Sequence, residues 1–532
     1  MQYLSNGKKD KISFSGFFAV LILSMILWLI PQASFAQDIK KPDEEKLKAI
    51  LADFEKYAEK GMHDWGTPGM AIAIVQDDKV IFARGFGVRK LGGNDPVTKD
   101  TIFQIGSTSK AFTTALVAMI EDEGKIKWDD RVVSHLPDFM MFDPWVTREF
   151  TIMDLMSQHS GLAPYAGDFQ AILGFDRDHI MHSLRFIEPV SSFRLKFAYQ
   201  NGMFLVASEL VEKYTGKSWE ENIAERIFKP LGMSSSSTDL KSFQEEKNVA
   251  YLHKKTNGKI TALPMDWLGL SWVYTYGPAG GINSNIIDMA KWLRLQINNG
   301  SFEGRQLISE NNVKFLHSPR TIAAPISTNP NQYYCEGWIY REYYPYPIIW
   351  HNGGTSGHKT MIAIVPQAKI GIVVLSNYID SELPESLAYY FFDKYFGNPA
   401  HDWSAEMLKA HQKSGSEAKA GAPKPPAKPV PAMPLNAYTG EYSNDIYGKI
   451  KVEDKNGNLI IIIGPKQVKM YLKHWDRDTF AASMPDLSDD MEFAKFNTNI
   501  EGKAASLTIA GPDGNIIGVF QRVEENPAGQ NK

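Results

Sequence analysis

The sequence is poor in cysteine: Cys335 is the only one among 532 residues. A single thiol cannot close an intramolecular disulfide or build a zinc site from several cysteines. The His-Glu-x-x-His signature of many zinc proteases is also absent. Basic residues do not outnumber acidic ones, with 57 Lys and Arg against 61 Asp and Glu. We therefore expect no multi-cysteine zinc site and no nucleic-acid partner.

Long apolar runs are equally scarce. One run, Phe14–Ile30, approaches the length of a membrane span, and it follows the basic residues Lys8, Lys9 and Lys11. The small-residue stretch Ala33-Ser34-Phe35-Ala36 comes next and has the form of a cleavage site. Residues 1–36 are therefore interpreted as a signal peptide, with an uncleaved anchor as the alternative. In both cases we expect the body in an exported compartment, periplasmic or secreted, with the leader as its only membrane contact.

The segment 37–412 alternates β-rich runs with helical periodicity. Met70–Val75 and Lys79–Gly85 predict a hairpin near its start, and Met361–Val365 and Ile370–Leu375 predict another near its end. Helical patterns lie between them, among them the apolar helix Ala111–Glu121. We therefore predict an α+β domain, with an antiparallel sheet that is built from both ends of the domain and flanked by helices.

The composition changes at Lys413. Residues 413–434 contain six prolines among Gly, Ala, Ser and Lys, which predicts a semi-rigid linker. From 435 to 526, short strands are separated by turn signals such as Asn456-Gly457, a pattern typical of a small all-β barrel or sandwich. Because the two cores should be independent, we expect proteases to cut the linker first and residues 37–412 to fold alone.

The strongest chemical signal is Ser107-x-x-Lys110, at the start of the apolar helix. A serine needs a base to become a nucleophile, and a desolvated lysine can lose its proton near neutral pH and serve as that base. The spacing puts both side chains on one helical face, where the helix N-terminus favours an oxyanion. The motif recurs at Ser5, Ser356 and Ser416, but only Ser107 lies between a strand-like run and a buried helix.

Two further segments carry side chains suited to the same reaction. Tyr199-Gln200-Asn201 offers a phenol that can relay a proton and an amide that can bind a substrate carbonyl. His351-Asn352-Gly353, which we expect on an edge strand, offers a polar side chain and a glycine that lets a substrate backbone lie close. The aromatic cluster Tyr340–Tyr346 precedes it and either lines a pocket or forms a surface loop.

These three elements, in this order, resemble those of the serine β-lactamase and penicillin-binding protein superfamily, and the similarity covers nearly all of residues 41–400. More narrowly, the chain resembles class C-related serine hydrolases of the peptidase S12 type, such as D-aminopeptidases and esterases. The tail segment Tyr438–Tyr442 resembles the lipocalin-like domain that some members append. The resemblance therefore implies a β-lactamase-like domain over 37–412 and a lipocalin-like barrel over 435–526.

The resemblance also implies catalytic roles. Ser107 would be the nucleophile, and Lys110 and Tyr199 would share the base and acid duties. The backbone N–H groups of Ser107 and Gly354 would form the oxyanion hole. No metal or cofactor takes part in this reaction.

Substrate contacts are implied for Asn201, His351 and Gly353. Lactamases and transpeptidases usually carry Lys-Thr-Gly where this chain has His351-Asn352-Gly353. A neutral imidazole holds a carboxylate less firmly than an ammonium does, so we expect substrates without a carboxylate beside the scissile bond.

The expected function is that of an exported serine hydrolase that cleaves amide or ester bonds in small peptides, D-amino acid derivatives or esters. One alternative is a β-lactamase or D,D-carboxypeptidase that uses the same site. A second is a catalytically silent member that binds or regulates a wall component. The expected partner is a small-molecule or peptide substrate, and an oligomer is compatible with the resemblance.

Overall fold

The computed structural model describes residues 41–256, 258–323, 331–485, 487–512 and 516–524. The predicted signal peptide and the last two residues of the predicted tail domain lie outside these ranges. Within them, no helix combines the length and the apolar character that a membrane span requires. From Pro42 onward the described chain forms one compact unit.

The strands of the described chain form one large sheet, one closed barrel and three short two-stranded pairs. In chain order they are β1 Gly69–Gln76, β2 Lys79–Gly87, β3 Phe103–Gln104, β4 His253–Thr256, β5 Lys259–Ala262, β6 Asn283–Ser284, β7 Ser301–Phe302, β8 Arg305–Gln306, β9 Thr321–Ala323, β10 Gln332–Tyr334, β11 Ile339–Arg341, β12 Ile348–Gly354, β13 Lys359–Val365, β14 Ile370–Ser376, β15 Gly440–Asn444, β16 Gly448–Lys455, β17 Asn458–Ile463, β18 Val468–Asp476, β19 Thr479–Met484, β20 Ser488–Thr498, β21 Ala504–Ala510 and β22 Ile516–Arg522.

The α-helices precede, interrupt and follow the strands of the large sheet. In chain order they are α1 Glu44–Trp65, α2 Lys110–Asp122, α3 Val132–His135, α4 Pro144–Glu149, α5 Ile152–Met156, α6 Asp168–Leu173, α7 Arg177–Ser183, α8 Gly202–Thr215, α9 Trp219–Ile223, α10 Lys229–Leu231, α11 Leu240–Glu245, α12 Trp272–Thr275, α13 Gly277–Gly280, α14 Ile286–Ile297, α15 Glu310–Leu316, α16 Leu383–Phe396 and α17 Trp403–Gly421.

The large sheet joins the two ends of the first domain. Its order is β2-β1-β14-β13-β12-β11-β10-β9, and each neighbouring pair is antiparallel. The first hairpin closes through Asp77 and Asp78, which have φ of 48° and 67°, the left-handed values that a two-residue hairpin turn requires. Next to the edge strand β2, Met70 of β1 pairs with Ser376 of β14. The predicted sheet built from both ends of the domain is confirmed.

Helices cover both faces of this sheet. On one face, α14 packs against β1 and β14. The helix α2 is buried from Lys110 to Ile120, because the side chains that follow Lys110 are apolar or small. It ends just before Gly124, which has φ of +71°. On the other face, α16 packs against α1 and against strands β13 and β14. The fold class of the first domain is therefore the predicted one: an α+β domain with an antiparallel sheet flanked by helices.

The tail forms a closed barrel of eight strands, β15 to β22 in sequence order. Alternate residues such as Ile450, Val452 and Ile461 point into its core, and Asn456-Gly457 turns between β16 and β17. Of the two predicted options, barrel and sandwich, the barrel is confirmed. Its core is not independent of the first domain, however, since Leu173 at the end of α6 is fully buried within it.

The connection between the two domains is partly helical. α17 continues to Gly421, nine residues into the predicted linker, because this stretch has helix-forming Lys, Glu and Ala and its first proline is Pro423. Residues 422–434 are irregular apart from local bends and are mostly exposed.

Candidate active site

Ser107 lies in a tight 3-10 turn that leads directly into α2. Gly106, which precedes it, has φ of +56°, and a β-carbon there would lie 2.8 Å from the backbone nitrogen of Gly354. Only glycine permits this approach, which brings the end of β12 against the serine turn. Ser107 is partly exposed, whereas its neighbours Gly106 and Thr108 are buried. The turn therefore presents one hydroxyl to solvent.

Lys110 lies one helical turn after Ser107 and is fully buried, with 0% of its surface exposed. Its Nζ is 3.2 Å from the Ser107 Oγ, 2.6 Å from the Asn201 Oδ1 and 3.0 Å from the Ala279 carbonyl oxygen. Burial lowers the pKa of this amine to about 7, against the opposing effect of the nearby Asp168 carboxylate. Close to neutral pH, the unprotonated amine can accept a proton from Ser107.

Asn201 connects Lys110 to a carboxylate that the sequence analysis missed. Its Oδ1 accepts from Lys110, and its Nδ2 donates to the Asp168 Oδ2 at 2.6 Å. Burial raises the pKa of Asp168 to about 7, although Asn201 and Lys110 both oppose the rise. The Asp168 Oδ1 is buried and has no hydrogen-bond partner among the described residues. Asn201 is thus committed to this network rather than free to bind a substrate amide through both polar atoms.

The side chain of Tyr199 also lies close to Lys110. The Lys110 Nζ lies 4.6 Å from the centre of the Tyr199 ring. The phenol oxygen is buried without a hydrogen bond to any residue of the described chain. Burial raises the pKa of Tyr199 well above 10, Tyr334 adds to the rise, and Ser107 opposes it. The hydroxyl is therefore protonated at neutral pH and can donate a proton but cannot act as the first base.

Gly353 and Gly354 lie where β12 meets the serine turn. A β-carbon on Gly353 would lie 2.0 Å from the Ile105 carbonyl oxygen, so the protein's own backbone, not a substrate, requires this glycine. The predicted edge strand is wrong, because β12 lies between β13 and β11. The pairing with β11 nevertheless ends at Trp350, which leaves the segment from His351 to Gly354 unpaired on the side of the serine turn.

His351 lies behind the site, and its side chain does not face a substrate. The residue is 1% exposed, and both ring nitrogens are occupied. Nδ1 donates to the Asn352 carbonyl at 2.5 Å, so Nε2 accepts from the Tyr334 hydroxyl at 3.0 Å. Burial, together with the charge of Lys110, lowers the pKa of His351 to about 3. The imidazole is neutral, as expected, but the predicted contact between its side chain and the substrate does not match this geometry.

The second internal Ser-x-x-Lys motif does not form a similar pair. Ser356 lies in the connection from β12 to β13, where its Oγ accepts from the Trp272 indole at 3.0 Å. Lys359 is instead paired with Glu385 at 3.2 Å. Within the described ranges, no three His, Cys, Asp or Glu side chains form a group that could hold a metal ion.

The structure thus brings Ser107, Lys110, Tyr199 and Asn201 together and places Gly354 beside them. Asp168 and Tyr334 complete the surroundings, and sequence reasoning missed both. Neither has a local motif: Asp168 begins a short helix after a loop, and Tyr334 lies on a three-residue strand. A partly exposed serine hydroxyl beside a buried lysine amine is an arrangement suited to a serine hydrolase.

Comparison with known proteins agrees with this class. The model of the Beta-lactamase family matches residues 54–390, so the chain belongs to this family, whose members are serine hydrolases. A second model, a domain of unknown function (DUF3471), matches residues 424–524.

Three similar proteins illustrate the relationship. The chain is 29% identical to an unguisins hydrolase of Aspergillus campestris, over 77% of this chain and 79% of that protein. It is 26% identical to penicillin-binding protein 4 of Amycolatopsis lactamdurans, over 58% of this chain and 81% of the relative. The octameric penicillin-binding protein homologue from Pyrococcus abyssi has a similar fold, with a TM-score of 0.59 and 21% identity over 87% of this chain and 98% of that chain.

Proposed function

We propose that this protein hydrolyses amide or ester bonds through an acyl-enzyme on Ser107. One observation carries the proposal: the Lys110 amine lies 3.2 Å from the Ser107 hydroxyl and has a pKa of about 7. A base of that pKa is half unprotonated near neutral pH, which suits a general base. The family membership supports the reaction class.

In the acylation step, Lys110 takes the proton of Ser107 while the serine oxygen attacks the substrate carbonyl carbon. The backbone N–H groups of Ser107 and Gly354 are proposed to bind the resulting oxyanion. Tyr199, which is protonated, donates to the leaving amine or alcohol, and the C–N or C–O bond breaks. Tyr199 recovers its proton from the Lys110 ammonium. In the deacylation step, water takes the place of the leaving group and attacks the acyl-enzyme, and the proton transfers run in reverse. This step releases the acid and free Ser107.

The proposed substrates are small peptides, D-amino acid derivatives or esters without a carboxylate beside the scissile bond. His351 is neutral and buried, so it supplies no positive charge for such a carboxylate. A relative that is named as an unguisins hydrolase supports hydrolysis as the reaction. We also propose an S12-type peptidase in an exported compartment, with a lipocalin-like tail.

A second candidate is a β-lactamase or D,D-carboxypeptidase that uses the same serine. The similarity to a penicillin-binding protein favours it. Rates for D-amino acid amides, simple esters and nitrocefin, measured on one preparation, separate the two. Nitrocefin turnover above that of the amides and esters would favour the second candidate. No turnover of any of them, and no labelling of Ser107, would favour a silent binding protein.

The nucleophile is tested by Ser107→Ala, with Ser356→Ala as the matched control. We expect Ser107→Ala to lose several orders of magnitude in kcat, because the covalent step is removed. Ser356→Ala should keep activity, since its serine lies outside the Lys110 network. A fluorophosphonate should label the native protein and Ser356→Ala but not Ser107→Ala. Near-native turnover by a folded Ser107→Ala protein would refute the proposal.

A further inference from the structure

Arg341, at the end of β11, is a buried cation without an ion-pair partner among the described residues. It is 3% exposed, and its buried Nε has no hydrogen-bond partner among them. Its carbon Cζ lies 4.2 Å from the centre of the Tyr389 ring and 5.9 Å from that of Trp403. Stacking on aromatic faces holds the plane of the guanidinium but leaves its N–H donors unused. Buried donors of this kind normally have acceptors.

Arg341 lines a cavity of about 600 Å³, which we call the Arg341 cavity. It lies at the start of β12, whereas Gly354 and the serine turn are at the other end of that strand. Its walls include the aromatic side chains Tyr343, Tyr344, His401 and Trp403. The aromatic cluster Tyr340–Tyr346 of the sequence analysis therefore lines a pocket in part, but not the pocket of the candidate active site.

The acidic groups of the cavity do not satisfy Arg341. Asp393 accepts from the Trp403 indole at 2.7 Å, from the Asn398 amide at 3.0 Å and from the Tyr343 hydroxyl. These three donors occupy the carboxylate. Asp393 and Glu342 nevertheless place negative charge on the cavity wall, which disfavours a ligand with two negative charges.

We propose that the Arg341 cavity binds a small monocarboxylate with a flat, apolar body. The guanidinium fork matches a carboxylate in bidentate geometry, and the aromatic walls contact the body of the ligand. This site is separate from the proposed hydrolysis at Ser107 and does not depend on it.

The proposal is tested on the full-length protein with 4-bromobenzoate and its neutral counterpart, 4-bromobenzamide. By calorimetry, we expect the benzoate to bind at one site roughly ten- to a hundredfold more tightly than the amide, the usual effect of a charge-assisted pair. In soaked crystals, the anomalous signal of bromine should lie within the Arg341 cavity. Equal affinities, a bromine elsewhere, or no binding of the benzoate at about 10 mM would overturn the proposal.

Four variants sharpen the test. Arg341→Gln should reduce the affinity for the benzoate to that for the amide, whereas Arg131→Gln, which removes an exposed arginine paired with Glu149, should change neither. Tyr344→Ala on the 78% exposed rim should weaken both ligands alike, and this readout remains if Arg341→Gln does not fold. Ser107→Ala should bind as the native protein does. A folded Arg341→Gln protein that still prefers the benzoate would refute the assignment.

Discussion

The buried amine of Lys110 makes activity depend on pH. Its pKa of about 7 predicts that kcat/KM rises as the pH increases through 7, because only the unprotonated amine can accept the Ser107 proton. Asp168 stabilises the ammonium, so Asp168→Asn should move this rise toward lower pH while the hydrogen bond to Asn201 is kept. The measurement is kcat/KM for an uncharged ester from about pH 5 to about pH 9. A rise that stays in place or moves toward higher pH would contradict this role of Asp168.

The surroundings of His351 determine what a lysine would do at that position. An ammonium there would be buried close to Lys110 and would lose the hydrogen bond from Tyr334. We therefore expect His351→Lys to lower the free energy of unfolding by on the order of 2–4 kcal/mol, and not to create a carboxylate-binding site. His351→Gln keeps a neutral polar group and should therefore lower the free energy of unfolding by less. Denaturant unfolding measures both, and equal stability of His351→Lys and the native protein would contradict the burial argument.

Local chemistry explains which site residues the sequence could predict. Ser107 and Lys110 are three residues apart at the start of an apolar helix, so their proximity follows from helical geometry alone. Asp168 reaches the same network only because α6 and α8 meet in the tertiary structure. Gly353 was predicted to let a substrate lie close, but it is the protein's own backbone that approaches this glycine. Both kinds of close approach require a glycine, so the sequence alone does not distinguish them.

At the scale of elements, α6 joins the candidate site to the barrel. It begins at Asp168 and ends at Leu173, whose side chain is fully buried in the barrel core. The backbone carbonyl of Leu173 accepts from the Lys466 N–H at 3.1 Å, and a β-carbon on Gly464 would lie 2.7 Å from the Leu173 Cβ. Six residues thus connect the Lys110 network to the tail domain.

This connection predicts that a change in the barrel contact alters catalysis. Leu173→Ala should destabilise the protein by about 2–5 kcal/mol and lower kcat by on the order of ten- to a hundredfold, because Asp168 loses its position. Leu472→Ala is the matched control: it removes a similar side chain from the barrel core but is on β18, outside α6. Steady-state kinetics and thermal unfolding distinguish the two. Equal losses of kcat in both variants would show that α6 has no special role.

Helices and hairpins could be predicted where their signals, periodicity and turn residues, lie within one short stretch of sequence. The hairpins around Asp77-Asp78 and 366–369 and the helix α2 follow from such signals. The order of the sheet does not follow from such signals. β12 was predicted to be an edge strand because the next strands of the sheet, β11 and β10, are only three residues long. Strands of that length carry too little pattern to be recognised.

At the scale of the whole molecule, the interface between the domains should survive cleavage of the connection. Proteases should cut within 422–434, which is exposed and irregular. The fragments should then co-elute in gel filtration, because Lys466 donates to Ser271 at 2.8 Å and His179 donates to the Ile446 carbonyl at 2.7 Å around the buried Leu173. Separation of the fragments without denaturant would contradict this interface. The expectation that 37–412 folds alone rested on independent cores, and the buried Leu173 removes that reason.

The pairing of β1 with β14 also governs how the chain acquires its structure. Met70 is synthesised about 300 residues before its partner Ser376. At about 5–20 residues per second, this delay is about 15–60 s, much longer than a hairpin needs to form. During that interval the apolar strand β1 can pair with β2 along one edge, while its other edge has no partner strand. Efficient folding therefore depends on keeping this open edge from joining the same edge of another nascent chain.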